Sequence, residues 1–212
     1  MNTDNLIQAI AADAGAPMPS IPRRTLVALV VGGLVSLALF LAMVGPRADL
    51  DEAAMSVRFL LKYVDAFALL IPAMVLCWRL ARPDAKPGVS IGALAAPLAL
   101  LALAVAVELI LVPSDLWMKR LIGTNLLHCL VFIPLLAMPP LAALIAVLRE
   151  GAPANPALTG ALAGAAAAGL SAMIYATNCT DDSPLFVASW YPLAWLAVIG
   201  IGALAGRRWL AW

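Results

Sequence analysis

The chain has 212 residues, of which 64% are hydrophobic and only 12% charged, and its net charge is +1; its mean hydropathy is +1.00. Soluble domains carry about a quarter charged residues, so an ordinary water-soluble globule is excluded, and the near-neutral balance without a Lys/Arg-rich run excludes nucleic acid as a direct partner. The expected class is an all-α integral membrane protein in contact with the lipid bilayer.

Residues 1–24, MNTDNLIQAIAADAGAPMPSIPRR, form the first unit, a tail. Thr3 or Asp4 can cap a short helix, Leu6, Ile7 and Ile10 share one apolar face, Gly15 stops it, and Pro17 to Pro22 make an extended tether. A helix of about ten residues is marginal alone in water, so its apolar face is expected to seek the groove of a partner. Asp4 and Asp13, with no base before Arg23, disfavour an anionic lipid surface instead. Asp4, Leu6, Ile7, Ile10 and Asp13 are therefore the candidate partner-binding residues.

Pro22-Arg23-Arg24 ahead of an apolar run has the outline of a secretory or twin-arginine signal, yet a signal core has roughly 7 to 15 apolar residues and this run is longer. It reads as a retained first helix. Crossing a hydrocarbon core of about 30 Å takes roughly 20 apolar residues, and six stretches qualify, at 25–45, 58–80, 90–112, 126–148, 156–178 and 185–206. The connections between them are short and rich in Pro, Gly, Asp and Asn, so residues 25–208 form one six-span domain, with 209–212 as its C-terminal end. One side carries eight of the Lys and Arg residues (Arg23, Arg24, Arg79, Arg82, Lys86, Arg149, Arg207, Arg208) and the other five (Arg47, Arg58, Lys62, Lys119, Arg120). The positive-inside rule then places both termini in the cytoplasm.

Of the three cysteines, Cys77 maps to the tail side and Cys129 and Cys179 to the other, at the ends of the fourth and fifth spans. A short loop joins those spans, so they are expected to pack as an antiparallel hairpin with the two thiols close together at the outer interface. Free cysteine is also an ordinary small buried residue, and Cys77 keeps that reading. The outer pair is a redox or soft-metal candidate, with His128, Asp181 and Asp182 as weaker additional ligands. Adjacent helical residues point about 100° apart, so His128 and Cys129 do not readily share an ion. No resident cofactor is expected.

Ionisable residues inside spans are expensive and default to functional candidates. Here they are Lys62 and Asp65, which can pair at i and i+3, and Glu108, which can answer Arg58 or Lys62. Pro134, Pro139 and Pro140 are expected to bend the fourth span, and Gly160, Gly164, Gly202 and Gly206 form small-xxx-small faces for close helix packing. No nucleophile–base set, phosphate loop or HExxH appears, which argues against an enzyme.

The opening TDNLIQAIAADA, the Arg23-Arg24 pair at the start of the first span, HCLVFIPLLAMPPLAAL, REGAPANPALTGALAG and NCTDDSPLFVASWYPL together give the chain a resemblance to the NrsF-type anti-sigma factors, six-span inner-membrane proteins that negatively regulate an extracytoplasmic-function sigma factor. The resemblance implies that the tail holds the sigma factor at the membrane and that Cys129 and Cys179 sense heavy metal or oxidant and release it. Two rivals stand beside it. A membrane thiol–quinone oxidoreductase would also carry outer cysteines, though with a close CxxC, and a small transporter would use the region of Asp65 and Glu108. The sequence sets no oligomeric state.

Overall fold

The computed structural model describes residues 3–13, 20–82 and 89–211, and every regular element among them is helical. The tail forms α1 (Thr3–Asp13). Of the tail's candidate contacts, Asp4 and Ile7 are exposed; the side chains of Leu6, Ile10 and Asp13 lie outside the described residues, as do Gly15 and most of the proline tether.

Six helical segments are long and apolar enough to cross a membrane. The first is α2 (Ile21–Met43), which starts four residues earlier than expected because Pro22, with its fixed φ and no N–H, suits a first helical turn. After a short α3 (Leu50–Ala54) comes α4 (Val57–Leu80). A 3₁₀ turn at Val89–Ala95 leads into α5 (Ala96–Leu111), and a second turn and the short α6 (Trp117–Ile122) lead into α7 (Leu126–Leu148). The last two are α8 (Pro156–Ala176) and α9 (Pro184–Trp209).

The centre of the bundle is α8, whose Ala and Gly residues leave room for neighbours on every side: α9, α4 and α7 all pack on it. Lipid tails are as apolar as leucine, so close backbone approach rather than hydrophobic burial holds such helices together. At α8 and α9 the approach is close enough that a Cβ on Gly160 would lie 2.2 Å from the Gly202 carbonyl oxygen, and one on Gly202 would lie 2.3 Å from that of Gly160. The small-xxx-small faces legible in the sequence are thus one interface.

The helix carrying the tail packs on α7. Its buried residues Thr25, Ala28, Leu29, Gly32, Ser36 and Phe40 recur at helical spacing on one face. α7 remains helical through Pro134, Pro139 and Pro140. Because Pro140 lacks an N–H, the Leu136 carbonyl four residues earlier loses its helical donor, and the Ser36 hydroxyl donates to it at 2.6 Å. The absent side chain of Gly32 lets the backbone of Pro140 come this near, since a Cβ there would sit 2.4 Å from Pro140 Cα.

The ends sort into two faces. Arg24 at the start of α2 pairs with Glu150 after α7, and the Ala152 N–H donates to the Ala81 carbonyl at 3.2 Å, which puts the α4–α5 and α7–α8 connections on the tail face. Cys77 belongs to that end: it is buried on α4, with its sulfur 3.7 Å from the Thr159 carbonyl oxygen.

Candidate functional site

At the opposite face the segment 177–183, between α8 and α9, folds back over the ends of α4 and α7. It carries Cys179, and Cys129 lies in the first turn of α7. Their sulfurs are 4.0 Å apart, so the expected hairpin does join the thiols. The expectation that they sit at a wet interface is corrected: both are fully buried. The acidic residues that follow Cys179 make bonds of their own.

Asp181 shows why. Its Oδ2 accepts from the backbone N–H of Thr124 at 2.9 Å and of Asn125 at 2.7 Å, and from the Asn125 amide at 3.0 Å. Its carboxylate therefore caps the N-terminus of α7 from another part of the chain, where free N–H groups and the helix dipole favour negative charge. Asp182 is equally committed, with Oδ2 2.9 Å from Arg47 Nη1 and Oδ1 2.6 Å from Lys62 Nζ. These bonds fix the residues that follow Cys179 against α7, α4 and Arg47.

Lys62 is the deepest charge at the site. Its side chain has no exposure, and its ammonium also donates to the Cys179 carbonyl at 2.9 Å. The expected Lys62–Asp65 pair does not form. Lys62 reaches across to the 177–183 segment, where a carboxylate and a carbonyl together satisfy it better than one carboxylate on its own helix, and Asp65 is left fully buried with neither oxygen hydrogen-bonded.

Glu108 answers Arg58 only at 4.0 Å and does not pair with Lys62. Its main partners are Arg120 at 2.8 Å, Ser183 at 2.8 Å and the Leu185 N–H at 2.9 Å. It is thus a buried cap for α9, again at a helix N-terminus supplied from elsewhere.

Two tyrosines close the chamber. Tyr175 of α8 and Tyr191 of α9 are fully buried, and neither hydroxyl has a hydrogen-bond partner. The Cys179 thiol is lowered, first by the hydrogen bond from Cys129 and also by the Lys62 ammonium. Cys179 is thus the sulfur poised to ionise. His128 is exposed and stacks on Phe132 with ring centroids 6.0 Å apart. Among the described residues no group of three His, Cys, Asp or Glu side chains is placed to hold a metal, so any ion at the thiols would rest on the two sulfurs.

The site therefore consists of two thiols, a buried cation and a strapped loop, without a nucleophile–base arrangement. Residues 10–212 match the family NrsF, "Negative regulator of sigma F". The chain belongs to that family. It is a family of regulators, not of enzymes. The chain is similar, at 34% identity over 216 aligned residues covering all of both proteins, to the anti-sigma-F factor NrsF of Caulobacter vibrioides (strain NA1000 / CB15N). A second relative, the probable anti-sigma-F factor NrsF of Azospira oryzae (strain ATCC BAA-33 / DSM 13638 / PS), is 30% identical over 213 residues, again covering all of both. No solved structure matches.

The sequence did not point to Ser36, Arg47 or Asn125 as site or coupling residues. For Ser36 a signal exists, a proline four residues after a carbonyl that then needs a donor; for the other two there is none, because the bonds that place them at the site, to Asp182 and Asp181, reach more than fifty residues along the chain.

Proposed function

We propose that the chain sits in the bacterial inner membrane with both termini in the cytoplasm, holds an extracytoplasmic-function sigma factor through residues 1–24, and releases it when a soft metal ion bridges Cys129 and Cys179 from the periplasmic side. The observation that carries the reading is the 4.0 Å separation of the sulfurs. Metal–thiolate bonds are about 2.3 Å long, so a bridging ion fits that gap with a bond angle near about 120° and little movement. A disulfide needs an S–S distance of about 2.05 Å, and an oxidant would have to draw the sulfurs together. Bridging costs no net charge: two thiols give up two protons, a divalent ion takes two thiolates, and nothing is oxidised.

The test uses the full-length protein with its bound sigma factor in membranes. Cadmium should release the factor, and a chelator should restore binding. Release by a disulfide-forming oxidant such as diamide, reversed by a phosphine reductant, with no release by cadmium would assign the signal to an oxidant, and no release under either would overturn the reading.

Two predictions belong here. The eight-to-five split of basic residues and the positive-inside rule lead us to expect that a phosphatase fused after Asp182 is active and one fused after Trp212 inactive. The reverse pattern would place the thiols in the reducing cytosol. The second concerns the tail, where truncating an interface hot spot costs about 2 kcal/mol or more. The double change Leu6→Ala, Ile10→Ala should free most of the sigma factor in a pull-down, while Gln8→Ala should not. Undiminished capture would show that the apolar face is not the contact.

A further inference from the structure

Resting on that reading, we infer that Arg47 is the positioning residue through which the state of the thiol pair reaches α2, the helix that bears the tail. Arg47 follows the end of α2 by four residues, and Pro46 stiffens the connection. The Val44 and Gly45 N–H groups both bond back to the Phe40 carbonyl at 2.9 Å, so this turn is part of the helix end and no free linker.

From there the contacts go to one place. The Arg47 N–H donates to the Thr177 carbonyl at 3.0 Å. Its guanidinium donates to the Cys179 carbonyl at 3.3 Å and to Asp182 at 2.9 Å, while Nε and Nη2 hold both oxygens of Asp49 at 2.7 Å. The Asn178 amide adds a bond to the Gly45 carbonyl at 2.9 Å. The arginine side chain is only 8% exposed.

The outer end of α2 is therefore fastened to the residues on both sides of Cys179, and its middle to α7, the helix of Cys129, through Ser36 and Gly32. Bridging the sulfurs ties the 177–182 segment to α7. Through Arg47 that constraint acts on α2, and α2 continues into the tail. A ligand shifts such an equilibrium only by its differential affinity for the two arrangements, and Arg47 supplies a contact that differs between them. Lysine cannot replace it, because a single ammonium lacks the fork that reaches two carboxylates and a carbonyl together.

The experiment compares wild type with Arg47→Lys and Asn178→Ala, as full-length protein with bound sigma factor in membranes, using cadmium ion as the probe. Thiol loading is followed by Cd–S charge-transfer absorption, release by the sigma factor left bound, and the end of α2 by hydrogen exchange in residues 44–50. Wild type should load, release and change its exchange. Arg47→Lys should load cadmium at wild-type concentrations yet lose about fivefold or more of the release, the range of an ordinary coupling energy, and Asn178→Ala should fall between them. A purely structural Arg47 would shift the melting temperature and leave release tracking loading, which would overturn the inference. Should Arg47→Lys fail to hold the factor at rest, Asn178→Ala decides by the same split. A wild type that loads cadmium, changes exchange at 44–50 and keeps its partner would overturn the sensing reading and leave the coupling standing; a wild type that loads none overturns both.

Discussion

Cadmium is expected to leave the sigma factor bound in Cys129→Ser and in Cys179→Ser, and to release it from Cys77→Ser as from wild type. The magnitudes decide this. Moving a two-state equilibrium from 1:99 to 99:1 takes about 5.5 kcal/mol of differential affinity. A four-ligand thiolate or imidazole site binds zinc with about 10–16 kcal/mol, roughly 2.5–4 per ligand, so two thiolates supply about 5–8 kcal/mol, a range that spans the threshold, and one falls short of it. Serine offers no ionised ligand at neutral pH. In wild type, bridging releases two thiol protons, so cadmium uptake should rise with pH, helped by the Lys62 ammonium that favours ionised Cys179. Release is measured as the sigma factor left in the membrane pellet after titration with cadmium. Release from either outer serine variant at wild-type cadmium would sink the paired-thiol mechanism. Asp181 and Asp182 would not be natural substitutes, since each is already spent on a helix terminus or a buried cation.

The six spans were legible because each is a long apolar run between turn residues, a signal read along the chain itself. The meeting of Cys129 and Cys179 was legible for a related reason, since a connection as short as REGAPANP leaves α7 and α8 no alternative to an antiparallel hairpin. What stayed hidden were interactions across the fold. Local spacing assigned Lys62 to Asp65, but the bundle presents Lys62 with Asp182, a residue 120 positions away, and that choice follows from where the 177–183 segment lands. Glu108 was matched to a neighbouring helix by charge, whereas most of its bonds satisfy the start of α9. The burial of the thiols was not legible, because placing both at the outer ends of their spans says nothing of what the 177–183 segment covers. Asp181 shows that a polar residue can seal a site when its bonds run to a helix N-terminus.

Lys62→Met should be among the most damaging single changes in the membrane domain. The ammonium is unexposed and joins three things: α4, the Cys179 carbonyl and the Asp182 carboxylate. Removing one partner of a buried ion pair costs about 3–5 kcal/mol because the other charge is left uncompensated. Arg47 still holds Asp182 Oδ2 at 2.9 Å, which argues for the lower end of that range. The loss should appear as a lower melting temperature of the detergent-solubilised protein. It should also appear at the thiols, because Lys62 is one of the charges that favour ionised Cys179: cadmium uptake in the variant should require higher pH. Lys62→Met, Asp182→Asn removes both charges of the pair, and if the cost is that of an orphaned carboxylate, the double variant should melt above the single one. A single variant that melts and titrates like wild type would show that the 177–183 segment is held by Arg47 and Asp181 alone. Asp65 sharpens the comparison, being an equally buried charge-bearing residue on the same helix with no hydrogen-bond partner. Asp65→Asn breaks no bond seen in the structure and should leave both readouts near wild type, so a large effect confined to Lys62→Met would come from the lost pairing and not from disturbing the core of α4.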